Sequence, residues 1–146
     1  MTSREYLKQV KDAIKEVLLN AGLVDGDQVA QNANLPNKTY FFESYNEKPE
    51  FQKKTYVCWN LLETQTLRHG DNTKLGAEQF FAVVVVTPQK LESRAVKTLI
   101  DQIEAEFIDD DSWSIIDYVN LVDNETKTNF ANFTVSKVFG KWQVNR

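Results

Sequence analysis

The chain has 146 residues, the usual size of one domain, and its 42% hydrophobic and 12% aromatic content suits a packed core without disulfides or metals. A net charge of −4 (17 Lys plus Arg against 21 Asp plus Glu) and a pI near 5.1 argue against a general or sequence-specific nucleic-acid binder, which would carry a basic excess. The longest apolar run, Phe80 to Val86, is far shorter than the roughly 20 residues of a membrane helix, and the charged start MTSREYLKQVKDAIKEV has no secretory h-region, so a cytoplasmic, non-membrane protein is expected.

The first element is a helix. Thr2 and Glu5 have capping-box spacing, Leu7, Val10, Ile14, Val17 and Leu18 recur at helical intervals, and Asn20 followed by Gly22 marks the end. On a wheel at about 100° per residue, Arg4, Lys8, Lys11 and Lys15 form a basic stripe and Glu5, Asp12 and Glu16 an acidic one. Such stripes read either as a solvated surface with pairs such as Lys8 and Asp12, or as a charged contact with another subunit.

Residues 23–39 lack periodicity, contain Pro36 and read as a long connection, with a short strand at Thr39 to Tyr45 after it. Beyond a polar loop with Pro49, Thr55 to Thr64 is rich in β-branched and aromatic residues and reads as a strand. Gln65 to Ala77 is polar and reads as the long tip of a hairpin whose second strand, Glu78 to Thr87, holds the run FFAVVVV. Thr87 and Pro88 then suit the N-cap and first position of a second helix, with Leu91, Val96, Leu99, Ile100, Ile103 and Phe107 on its apolar face. After the acidic stretch Asp109, Asp110 and Asp111, strands are expected at Trp113 to Val122 and Asn129 to Phe139, joined by the turn DNET. The whole of residues 1–146 is thus one α+β domain in the order α-β-β-β-α-β-β, a mixed, mainly antiparallel sheet of four to five strands with two helices on one face.

Phe80 to Val86 is apolar at every position, so both faces of the central sheet need cover, and two helices cover only one. Phe130, Phe133, Val135, Val138, Phe139 and Trp142 add further apolar surface. A neighbouring copy, the long connection or the chain ends must supply the rest.

No catalytic motif is complete. Arg68-His69-Gly70 looks like the phosphate-binding signature of histidine phosphatases, but that family needs a second histidine and His69 is the only one here. Nucleophile elbow, P-loop, dinucleotide fingerprint and zinc spacing are all missing, so neither enzyme activity nor a cofactor is expected. The spacing of Asp109 to Asp111 matches no EF-hand loop, and acids at a helix C-terminus invite a basic partner. Lone Cys58, between Val57 and Trp59, reads as packing.

The order of elements, and the stretch YVCWNLLETQTLRHGDNTKLGAEQFFAVVVVTPQKLESRAVKTLIDQIEAEF, resembles the tail-terminator and minor tail-component proteins of long-tailed phages of Gram-positive hosts. The likeness is one of layout: an N-terminal helix, a long hairpin, a second helix on the sheet and a terminal hairpin. It implies a virion structural protein, assembled in the host cytoplasm as a ring, commonly a hexamer, that caps the tail tube and meets the head. Self, the tail tube protein and head-tail connector proteins would be the partners. From the residue pattern the expected assembly contacts are Lys8, Lys11 and Lys15 on the first helix, Arg68, Asp71, Asn72 and Lys74 at the hairpin tip, and Asp109, Asp110 and Asp111 at the second helix exit. The alternative is a small ligand-binding or regulatory domain, or an unrecognised enzyme, with a pocket between the sheet and residues 23–39.

Overall fold

In a computed structural model, the described residues are 3–28, 38–45, 54–68 and 74–139. Helix α1 (Ser3–Asn20) buries Val10, Ile14, Val17 and Leu18, while Leu7, expected on that face, is largely exposed. Gly22, at φ 91°, ends it: the Leu23 and Gly22 N–H groups donate to the Leu18 and Leu19 carbonyls at 3.2 and 3.0 Å, the double bond of a Schellman cap. Thr2 lies outside the described residues.

The sheet has six strands in the order β1-β2-β3-β4-β6-β5, one more than the upper expectation. The addition is β1 (Val24–Asp25), inside the stretch read as pure connection, which pairs in parallel with β2 (Tyr40–Glu43). Two residues carry no period, so no pattern could reveal it. Gly26 follows because its Cα lies against the Phe42 ring, where a Cβ would stand 2.3 Å from a ring carbon. Strand β2 also runs parallel to β3 (Tyr56–Arg68), whereas β3, β4 (Lys74–Thr87), β6 (Thr128–Phe139) and β5 (Trp113–Asp123) pair antiparallel in turn.

Helix α2 (Arg94–Asp109) begins later than the Thr87-Pro88 signal suggests. Thr87 stays in the sheet opposite Asn129, and its hydroxyl bonds the Thr55 hydroxyl at 2.7 Å and accepts the Gln89 N–H at 3.1 Å. It caps a turn, not the helix, whose N-cap position falls to Ser93. The described order is therefore α-β-β-β-β-α-β-β.

Alternation along the strands sorts the sheet into two faces. Both helices lie on one, where Val10, Ile14, Ile103 and Phe107 pack with Trp59, Phe81 and Phe133, all at most 1% exposed. At roughly 1.5–3 kcal/mol for each large apolar side chain removed from water, this layer dominates stability. Trp113 fixes the start of β5 beneath α2, with its ring 5.2 Å from Phe107 and 5.4 Å from Phe81. On the opposite face a smaller cluster buries Phe42, Tyr56, Cys58 and Val86, and Val84 and Phe130 beside it are half-buried. Both faces of β4 are thus apolar, as the run FFAVVVV requires. The terminal residues expected to be surplus mostly find cover: Phe133, Val135 and Phe139 are buried, Phe130 is half-buried and Val138 is exposed. Trp142 lies outside the described residues.

Candidate functional site

The residues read as a polar hairpin tip are mostly strand. Pairing of β3 with β4 continues through Gln65↔Glu78, Thr66↔Ala77 and Leu67↔Gly76 to Arg68↔Lys74. Asp71 and Asn72, expected contacts, lie outside the described residues, as does His69; the backbones of Arg68 and Lys74 face each other across the last rung. The pairing of β2 ends at Trp59, so among the described residues no strand covers the outer edge of β3 from Asn60 to Arg68. At about 3.3 Å per residue that open edge is roughly 30 Å long.

A bulge interrupts the ladder where this edge begins. Leu62 and Glu63 have no partner on β4 between the rungs Leu61↔Phe81 and Thr64↔Gln79. Gln79, only 4% exposed, replaces the lost ladder bonds with its side chain. Its Nε2 lies 3.3 Å from the carbonyls of both Leu62 and Glu63 and 2.9 Å from that of Phe80, and its Oε1 accepts from the Thr64 hydroxyl. A buried amide with both ends engaged holds the bulge in one geometry, and with it the direction of the hairpin end. Sequence reasoning missed Gln79; the only signal was a Gln just ahead of an apolar run.

The basic stripe of α1 is engaged within the chain. Lys8 pairs with Asp12 at 3.4 Å, as its i,i+4 spacing suggests. Lys11 reaches Glu43 at the end of β2 at 3.0 Å, and Lys15 lies 4.0 Å from Asp25 on β1. Lys11 and Lys15 of the stripe therefore link α1 to the β1–β2 edge of its own sheet. The acidic stripe lines a shallow open groove with the end of β6, formed by Glu5, Asp12 and Glu16 on one side and Lys137 and Phe139 on the other, with Lys8 at its rim.

At the exit of α2, Asp110 is a turn residue. Its Oδ1 accepts the Ser112 hydroxyl at 2.6 Å and the Ser112 N–H at 3.0 Å, and these two bonds hold its carboxyl below the ordinary carboxylate range. Asp109 and Asp111 are exposed. Burial pushes the Cys58 thiol up to about 11, so it is a packing group and a poor nucleophile. Among the described residues no three His, Cys, Asp or Glu side chains gather as metal ligands, and no helix is long and apolar enough to cross a membrane.

A second feature escaped the sequence reading. Among the described residues strand β5 ends the sheet and pairs only with β6, yet Ile116, Tyr118, Val119, Leu121 and Val122 are 41–59% exposed. Apolar residues of both parities were the available signal.

No protein-family model matches the sequence, and no curated protein matches it. Among solved structures the chain is similar to one described as "Virion of native gene transfer agent (GTA) particle", at 13% identity and a TM-score of 0.49, over 69% of this chain and 78% of that chain.

Proposed function

We propose that the chain is a structural subunit of a phage-like virion, a tail terminator or tail-completion component that forms a ring at the head-proximal end of the tail tube. Its neighbours would be copies of itself, the tail tube protein and head-tail connector proteins, and it would carry no catalytic residue. The supporting observation is the β3–β4 hairpin: a ladder whose outer edge from Asn60 to Arg68 no described strand covers, braced at its bulge by a buried Gln79. A rigid, open edge suits contact between subunits better than it suits an enclosed small-molecule site. The layout of α1, long hairpin, α2 and terminal hairpin also agrees with that of the tail proteins the sequence resembles.

With the contacts Lys11–Glu43 and Lys15–Asp25 made inside the subunit, the hairpin end is the better candidate for the ring contact than the basic stripe. The test is the mass of the full chain by light scattering across a range of concentrations, with negative-stain images of the heaviest species. Closed rings of one size support the proposal, and a monomer at every concentration overturns it.

A further inference from the structure

The far edge of the sheet has a different character. Strand β5 is eleven residues long, its outer backbone edge pairs with no described strand, and apolar side chains are exposed on both of its faces. Exposed edges of this length are usually guarded by lysine, proline or a covering loop, because they recruit other strands. Here residues 109–126 contain no Lys or Arg, and their charges are Asp109, Asp110, Asp111, Asp117, Asp123 and Glu125. A bulge at Ile116 also guards it.

Hydrogen bonds favour the charged form of two of those carboxylates. Asp123 accepts the Glu125 N–H at 3.0 Å, which with the neighbouring Thr126 holds its carboxyl below the ordinary range, and Asp110 is held down by Ser112. On the helix side, Tyr118 lies over Phe133 with ring centroids 4.7 Å apart, and besides its burial it feels the charges of Glu104 and Asp101 on α2. Carboxylates thus lie on the strand, in both flanking turns and on the helix above it, beside two cations at its ends, Lys127 in the β5–β6 turn and Lys137 over the Trp113 ring.

This pattern decides which strand fits. Two copies of β5 pairing about a two-fold axis would bring Asp117 and Asp123 of each into one ladder, and the register centred on Asn120 sets them directly opposite one another. Like charges opposite each other in a ladder are destabilising. We propose that β5 is a strand-addition site for a cationic, apolar segment of another polypeptide, whose backbone would extend the sheet and whose Lys or Arg side chains would face Asp117 and Asp123. The backbone ladder supplies affinity, while the exposed Val119, Leu121 and Val122 with the flanking carboxylates supply selectivity. The proposal does not need the ring; a monomer would carry the site equally.

The test uses the full chain and a fluorescein-tagged octapeptide, Lys-Val-Thr-Val-Lys-Val-Thr-Lys, with a counterpart in which every Lys is Glu. Binding is read by fluorescence anisotropy, and the site by amide exchange across residues 113–123. The expected result is binding of the cationic peptide with new protection of β5 amides, and none of the anionic one. Asp117→Asn with Asp123→Asn should weaken binding about three- to tenfold while the unbound chain stays folded at the assay temperature. Three outcomes overturn the proposal: no binding up to the peptide's solubility limit, binding without β5 protection, or equal binding of both peptides. Concentration-dependent protection of β5 in the protein alone would make a second copy the occupant and overturn it as well.

Discussion

Replacing Gln79 by leucine should loosen the hairpin while leaving the main core in place. The side chain is buried, and leucine fills a similar volume, so no large cavity opens. What is lost is the amide's contact with the carbonyls of Leu62, Glu63 and Phe80 and the bond from the Thr64 hydroxyl. Each such bond contributes about 0.5–1.5 kcal/mol net, but the two at 3.3 Å are long and Thr64 is exposed enough to bond water. A total loss of about 1–3 kcal/mol follows, which for a domain of this size lowers the melting temperature by roughly 4–10 °C. Amide exchange should speed up from Leu62 to Thr66 and around Gln79, while amides of α1 and of β6 near Phe133 change only with global stability. Unchanged exchange at Thr64 to Thr66 together with an unchanged melting temperature would refute the bracing role.

Lys11→Glu should cost about 0.5 kcal/mol in low salt and nothing in high salt, because its pair with Glu43 is partly exposed; Glu43→Lys in the same chain should restore the loss, as a double-mutant cycle by urea denaturation would read. A stability loss that no partner change rescues would mean that the pair is not the cause. Asp110→Ala should lower the melting temperature at neutral pH, and the gap to the parent should close as pH falls. The sign follows from the direction of the shift: a carboxyl held below its ordinary value in the fold adds stability above that ordinary value and loses it as pH drops through the folded one. A gap that persists in strong acid would contradict this.

Burial made much of the fold readable. Helix α1 from its periodic apolar face to Gly22, the apolar face of α2, the strand β4 and the terminal strand β6 all follow patterns that one-sided or two-sided packing imposes. The hairpin end was misread for the converse reason: Glu63 to Thr66 are exposed, so neither face imposes alternation and only the β-branched Thr64 and Thr66 hint at a ladder. Thr87 and Pro88 carry a helix-start signal that pairing with Asn129 overrides at Thr87. Of the expected contact residues, Lys11 pairs with Glu43 on β2, Lys15 with Asp25 on the strand that follows its own helix, and Asp110 with a neighbour two residues away; composition shows a charged stripe but not what it faces. The open edges of β3 and β5 depend on which strands are neighbours, a property of topology that no single segment encodes.

The hairpin end carries the central claim, and the register says how to remove it cleanly. Thr66 faces Ala77 as the last rung flanked by β6, so an Asn-Gly turn in place of residues 67–76 closes the ladder with a favoured two-residue connection. Stability should change by no more than about 1 kcal/mol, since the deleted rungs lie beyond the last described β4–β6 pair, Ala77↔Phe139. Light scattering on the parent and the shortened chain then decides. Rings are expected from the parent and monomers, with a near-parental melting temperature, from the shortened chain; rings of unchanged mass from both would contradict assembly through the hairpin end.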